Sequence, residues 1–133
     1  MYNVFTDNME PKKNIMLVDD DPLITKIYEK KLKAEGYGVV IESNGESAII
    51  TAEKKNPDLI LLDIMMPKMS GIETLKILKE KVSTKNIPVI VLTNLGSNAE
   101  EMETAKILGA VNYLVKSETS LKKLIEEVKK IIS

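Results

Sequence analysis

Short apolar runs punctuate the chain at Ile15–Val18, Val39–Ile41, Leu59–Leu62, Val89–Leu92 and Val111–Val115. A strand with one face in water alternates apolar and polar residues. Nearly continuous Val, Ile, Leu and Met, as in four of these runs, predict strands buried on both faces of a parallel sheet. The segments between them have helical period. Ile24, Ile27, Tyr28 and Leu32 form one apolar stripe, closed by Gly36 as a residue able to adopt a left-handed C′ conformation. A second helix is expected from Gly45 to Lys55 after Asn44, a third from Ile72 to Lys81 after the cap Ser70, and a fourth from Asn98 to Leu108, closed by Gly109. The last is the clearest, with Leu121, Leu124, Ile125, Val128, Ile131 and Ile132 on one face and Lys and Glu opposite. Strands alternating with helices in this way predict an α/β domain with helices on both faces of the sheet. No internal repeat or linker divides the chain, and residues 1–13 read as a polar tail ahead of a domain at 14–133.

Composition narrows the chemistry. A chain of 133 residues is the size of one domain. The net charge of −1 gives no general affinity for nucleic acid or anionic membrane. All 19 basic residues are lysines, so the forked donor suited to bidentate phosphate or guanine contacts is missing. With no histidine, cysteine or tryptophan, Ser-His-Asp and Cys-His catalysis, thiol redox chemistry, disulfides and the usual zinc sites are excluded. No apolar run approaches the ~18 residues that span a bilayer, and the first residues lack the apolar core of a signal peptide. The expected compartment is the cytoplasm.

In an open parallel sheet, functional groups gather outside the carboxyl ends of the strands. The first run ends in Asp19-Asp20, the third in Asp63, the fourth in Thr93 and the fifth in Lys116. The second ends in Glu42-Ser43, which offers less focus. Clustered carboxylates repel one another unless a cation sits among them, and an all-oxygen set suits Mg²⁺ or Mn²⁺. A carboxylate can also act as a nucleophile toward phosphorus, with a metal, an ammonium and a hydroxyl stabilising the transferred group. Asp21 differs from its neighbours. It precedes Pro22, a favoured first helical residue, and so reads as an N-cap and not as a metal ligand.

The segments IMLVDDDP, LILLDIMMPKMSGIE, VIVLTN and LGAVNYLVKS, in that order, resemble the receiver domain of two-component response regulators over residues 14–132. The resemblance implies a flavodoxin-like (βα)5 three-layer sandwich with a five-stranded parallel sheet of order 2-1-3-4-5. It implies that Asp63 is the phosphoacceptor, and that Mg²⁺ is held by Asp19, Asp20, Asp63 and the backbone carbonyl of Met65. Asp20 would be the direct ligand, and Asp19 would act partly through water. Thr93 and Lys116 would contact phosphoryl oxygens, and Tyr113 would be a switch residue that turns inward as Thr93 moves. The implied donor is a histidine kinase or histidine phosphotransfer protein. The implied output is binding of a downstream protein through the face of the fourth helix, fifth strand and fifth helix; the chain is expected to be a monomer or, through its last helix, a weak phosphorylation-dependent dimer.

Two positions depart from the family pattern. Ser117 follows Lys116 where proline, often after a cis bond, is usual; without proline a cis bond costs about 3 kcal/mol. The expectation is a trans bond with an altered loop, or a strained cis bond. Asn94 follows Thr93 where a smaller residue is common, and is expected to narrow access to Asp63. Met65 and Leu95 flank the site and neither can orient water, which implies slow self-dephosphorylation. Gly71 is expected to serve the backbone of the loop before the third helix, the Met65-Met66 side chains to pack locally, and the run Glu100-Glu101-Glu103 to form a solvated helix face. No output domain is expected after Ser133, so the expected modes are action alone, onward phosphotransfer, or excision from a longer protein. Two other functions remain: a pseudo-receiver that binds partners without being phosphorylated, and a haloacid-dehalogenase-type phosphohydrolase with Asp19 as nucleophile and Asp21 as acid. A flavin-binding reading lacks a Ser/Thr/Gly-rich phosphate loop after the first strand.

Overall fold

The strands pair side by side, all parallel, in the order second, first, third, fourth, fifth as they occur along the chain. The structure, a computed structural model, describes residues 12–94 and 99–133, so Asn98, Leu95 and residues 1–11 of the expected tail lie outside the described residues. The elements in chain order are β1 (Asn14–Val18), α1 (Pro22–Ala34), β2 (Gly38–Glu42), α2 (Gly45–Lys55), β3 (Leu59–Leu62), α3 (Gly71–Glu80), β4 (Val89–Thr93), α4 (Ala99–Ile107), β5 (Asn112–Val115) and α5 (Leu121–Ile132). A short 3₁₀ turn at Lys116–Glu118 precedes α5.

Successive strand residues point to opposite faces, and this divides the interior into two cores. Ile15, Leu17, Leu59, Leu61, Ile90 and Leu92 pack against α1 and α5 through Tyr28, Leu32, Leu124, Ile125 and Val128. Met16, Val18, Ile60, Leu62, Val89 and Val91 pack against α2, α3 and α4 through Ala48, Ala52, Leu75, Leu78 and Ala105. The three central strands are buried almost throughout, whereas edge strand β2 is half-buried along its length because a neighbour covers only one side of it. Among the described residues, no helix is long and apolar enough to cross a membrane.

Helix ends follow local chemistry. Asp21 caps α1, its carboxylate accepting from the N–H groups of Leu23 and Ile24 at 3.0 and 3.4 Å. Gly36 (φ 97°) and Gly109 (φ 108°) close α1 and α4 with the same pair of bonds. In α1, Gly36 N–H bonds to Lys33 O and Tyr37 N–H to Leu32 O; in α4, Gly109 N–H bonds to Lys106 O and Ala110 N–H to Ala105 O. Ser70 and Glu73 form a reciprocal capping box at the start of α3.

Three apolar expectations need correction. Ile27 is 44% exposed, and Thr25 takes the buried place on α1, its hydroxyl bonded back to Pro22 O. Val111 is 53% exposed and precedes β5, although its N–H still bonds to Val89 O. Leu121 opens α5 at the rim of the stripe, whose buried part is Leu124, Ile125 and Val128.

Candidate acidic phosphoacceptor site

The backbone ladder continues one residue past β1 and β3. Asp19 N–H bonds to Glu42 O at 3.1 Å, and Asp63 N–H bonds to Val18 O at 2.9 Å. Two buried aspartates are thereby fixed side by side at the carboxyl edge of the sheet, with Asp20 exposed beside them. One carboxylate oxygen from each of Asp19, Asp20 and Asp63 lies within 4.8 Å of the others. Asp20 also borders an open groove between the start of α2 (Asn44, Ser47) and the loop residues Pro67 and Lys68.

The ammonium of Lys116, carried on the end of β5, donates to Asp19 Oδ2 and stands 3.8 Å from Asp63 Oδ2. Its side chain is 6% exposed, so this is a desolvated ion pair. Burial pushes the Asp63 carboxyl up to about 6; Lys116 opposes that shift, and Asp19 and Asp20 add to it. Thr93 is fully buried at the end of β4. Three carboxylates set against one ammonium leave an excess of negative charge, and their hard oxygen donors fit a divalent cation of the Mg²⁺ or Mn²⁺ type.

The Asp21 carboxylate is engaged as the cap of α1 and is not one of the three clustered acids, and its own N–H donates to Asp19 Oδ1 at 3.0 Å. The Lys116–Ser117 bond is trans, as are all peptide bonds among the described residues, and the chain turns at once into the 3₁₀ segment. Thr119 secures that turn through its hydroxyl bond to Val115 O at 2.8 Å.

The loop after Asp63 folds back tightly. Met65 N–H donates to Asp63 Oδ1 at 3.4 Å, and Gly71 N–H bonds to Ile64 O at 2.9 Å. A β-carbon on Gly71 would stand 2.2 Å from Asp63 O, so glycine is required by close approach of α3 to the backbone of the aspartate. Lys68 takes a left-handed conformation (φ 69°) at the turn of this loop. Met66 packs in the core, as expected, but Met65 is 57% exposed and borders the site instead of packing. Asn94, which follows Thr93, is exposed.

Sequence reading missed a polar line across the neighbouring face. Tyr113, 8% exposed, donates its hydroxyl to Glu101 Oε1 at 3.0 Å. Burial and this carboxylate push the phenol up to about 12. Glu101 is therefore half-buried and engaged, not part of a purely solvated face. Asn112 Oδ1 accepts from Tyr113 N–H, and Asn112 Nδ2 donates to Glu127 Oε1, both at 2.8 Å. Buried Glu127 is held in turn by Lys123 and Lys130. Asn112, a polar residue inside an apolar run, was the one available signal.

Comparison with known proteins adds the lineage. The model of the response regulator receiver domain matches residues 15–129. Transcriptional regulatory protein CpxR of Escherichia coli is 42% identical over 102 residues, covering 77% of this chain and 42% of CpxR. The chain spans about two fifths of the length of the curated relatives it matches. The chemotaxis response regulator CheY4 of Vibrio cholerae superposes with a TM-score of 0.83 at 28% identity, over 91% of this chain and 99% of that one. The receiver domain of sensor histidine kinase PA1611 from Pseudomonas aeruginosa, with a magnesium ion in its active-site cleft, superposes at 0.82 and 25% identity over 92% of this chain and 98% of that one. On the family match, the strand order and these likenesses, the chain belongs to the response regulator receiver domain family of two-component signalling.

Proposed function

We propose that Asp63 accepts a phosphoryl group from a phosphohistidine on a histidine kinase or phosphotransfer protein, and that the chain answers by altering its α4-β5-α5 face for binding of a second protein. The observation that carries this reading is the convergence of Asp19, Asp20 and Asp63 with Lys116 paired to the first and close to the last. In the transfer step an Asp63 oxygen forms the new bond to phosphorus as the phosphorus–nitrogen bond of the donor breaks, and the imidazole leaves with the electron pair. Lys116 exchanges part of its attraction to Asp19 for a phosphoryl oxygen, and the Thr93 hydroxyl takes another. Mg²⁺, or Mn²⁺, would be held by Asp19, Asp20, Asp63 and the Met65 carbonyl and would supply positive charge to the transferred group. Asp20 would be the direct ligand, and Asp19 would act partly through water. The magnesium ion in the PA1611 receiver supports that choice of metal.

On this reading the domain, residues 14–133, is a signalling module set in the cytoplasm. It catalyses only its own phosphorylation and slow dephosphorylation, because exposed Met65 offers no group to orient attacking water. The test is incubation with acetyl phosphate and Mg²⁺ followed by intact mass measurement. The expected result is a gain of one phosphoryl group, absent in Asp63→Asn and in EDTA. No gain under any condition would favour a pseudo-receiver, and labelling that survives Asp63→Asn would point to Asp19 and a hydrolase.

A further inference from the structure

We propose that Glu101 is a positioning residue for the switch: it holds the Tyr113 hydroxyl against α4, so that movement of the ring toward Thr93 must first break that bond. The inference rests on the reading of Asp63 and Tyr113 given above and goes beyond it in naming what opposes the movement.

Tyr113 is opposite Val91 in the β4–β5 ladder, and Thr93 is opposite Val115. Residues two apart on a strand share a face, so the tyrosine ring and the threonine lie on the same side of the sheet. The backbone of Tyr113 is pinned by its N–H bond to the side chain of Asn112, which is itself tied to Glu127 on α5. With the backbone fixed there, the ring moves by rotating about its own side-chain bonds, and such rotation displaces the hydroxyl most. The hydroxyl is held at 3.0 Å by a carboxylate in a mostly buried setting, where a charge-assisted bond is stronger than a neutral one. A ligand that favours the displaced ring therefore binds more weakly by the factor with which Glu101 favours the tethered one.

Beryllofluoride, a phosphoryl mimic, titrated in saturating Mg²⁺ and followed by ¹⁹F NMR, tests this directly. Glu101→Ala should bind it about tenfold more tightly than the wild-type protein. Tyr113→Phe should show a similar gain, and the double variant no more than either single one, since both remove one bond. Glu101→Gln, which keeps an uncharged acceptor, should fall between wild type and Glu101→Ala. Affinity for Mg²⁺ alone should be unchanged by Glu101→Ala. If the wild-type protein binds beryllofluoride and Glu101→Ala binds it equally or more weakly, the latch is overturned while the Asp63 reading stands. Additive gains in the double variant would overturn it as well. A wild-type protein that binds no beryllofluoride would sink the Asp63 reading and the latch together.

Discussion

A carboxyl group buried beside two others gives up its proton reluctantly, and Asp63 carries that cost in its pKa of about 6. The folded chain holds the proton more tightly than the unfolded chain, where an aspartate titrates near 3.8. Raising the pH from ~4 to ~6 therefore deprotonates the unfolded state first, and the fold loses stability across that window. Urea unfolding in EDTA should show the loss in the wild-type protein and not in Asp63→Asn. The comparison between the two proteins is the proper readout, because Glu35 and Glu127, held low by lysines, respond to pH in the opposite sense. At pH 7.5 without metal, Asp63→Asn should be the more stable protein by ~1–3 kcal/mol. Asp21 makes the contrasting case. Its loss in Asp21→Ala should cost about 1 kcal/mol of stability, as for other N-caps, while phosphorylation by acetyl phosphate persists. Abolished phosphorylation in a folded Asp21→Ala protein would mean that the cap also serves the acid cluster.

The elements differ in how far their neighbours can be read from the sequence. Caps and closures at Asp21, Gly36, Ser70 and Gly109 were legible because each depends on residues within a turn of it. The acid cluster was legible for a different reason: parallel strands end on one edge, so whatever ends them meets there. What stayed hidden depends on contacts between residues far apart in the chain. The Asn112–Glu127 bond joins positions 15 apart on two elements, and no local pattern marks it. Ile27 misled because an apolar residue at helical spacing can as easily sit at the edge of a stripe as in it. Gly71 shows how one element sets another, since the start of α3 rests on the carbonyl of Asp63. Gly71→Ala should force α3 away from β3, lowering stability by roughly 1–3 kcal/mol and slowing phosphorylation. A variant with wild-type melting and wild-type phosphorylation rate would show that the loop yields without cost.

For the whole molecule, the site and the fold are linked by mass action. A cation that binds only the assembled acids adds stability in proportion to the logarithm of its concentration, about 2.7 kcal/mol at a hundred times its dissociation constant. Melting followed by circular dichroism should thus shift upward as Mg²⁺ is added, and Asp20→Asn should remove most of the shift. A shift of full size in Asp20→Asn would exclude Asp20 as a ligand.

The sheet that carries the site also partitions the interior, with α1 and α5 seated on one core and α2, α3 and α4 on the other. Substitutions that do not share contacts add in their effects, and those that do interfere. Changes of side-chain volume on opposite sides of the strands should therefore add in their effects, except along the Tyr113–Asn112–Glu127 line that joins the two sides. The sheet thus works as a party wall: side chains in one room can be refitted with little notice in the other, although neighbouring residues of each central strand furnish opposite rooms.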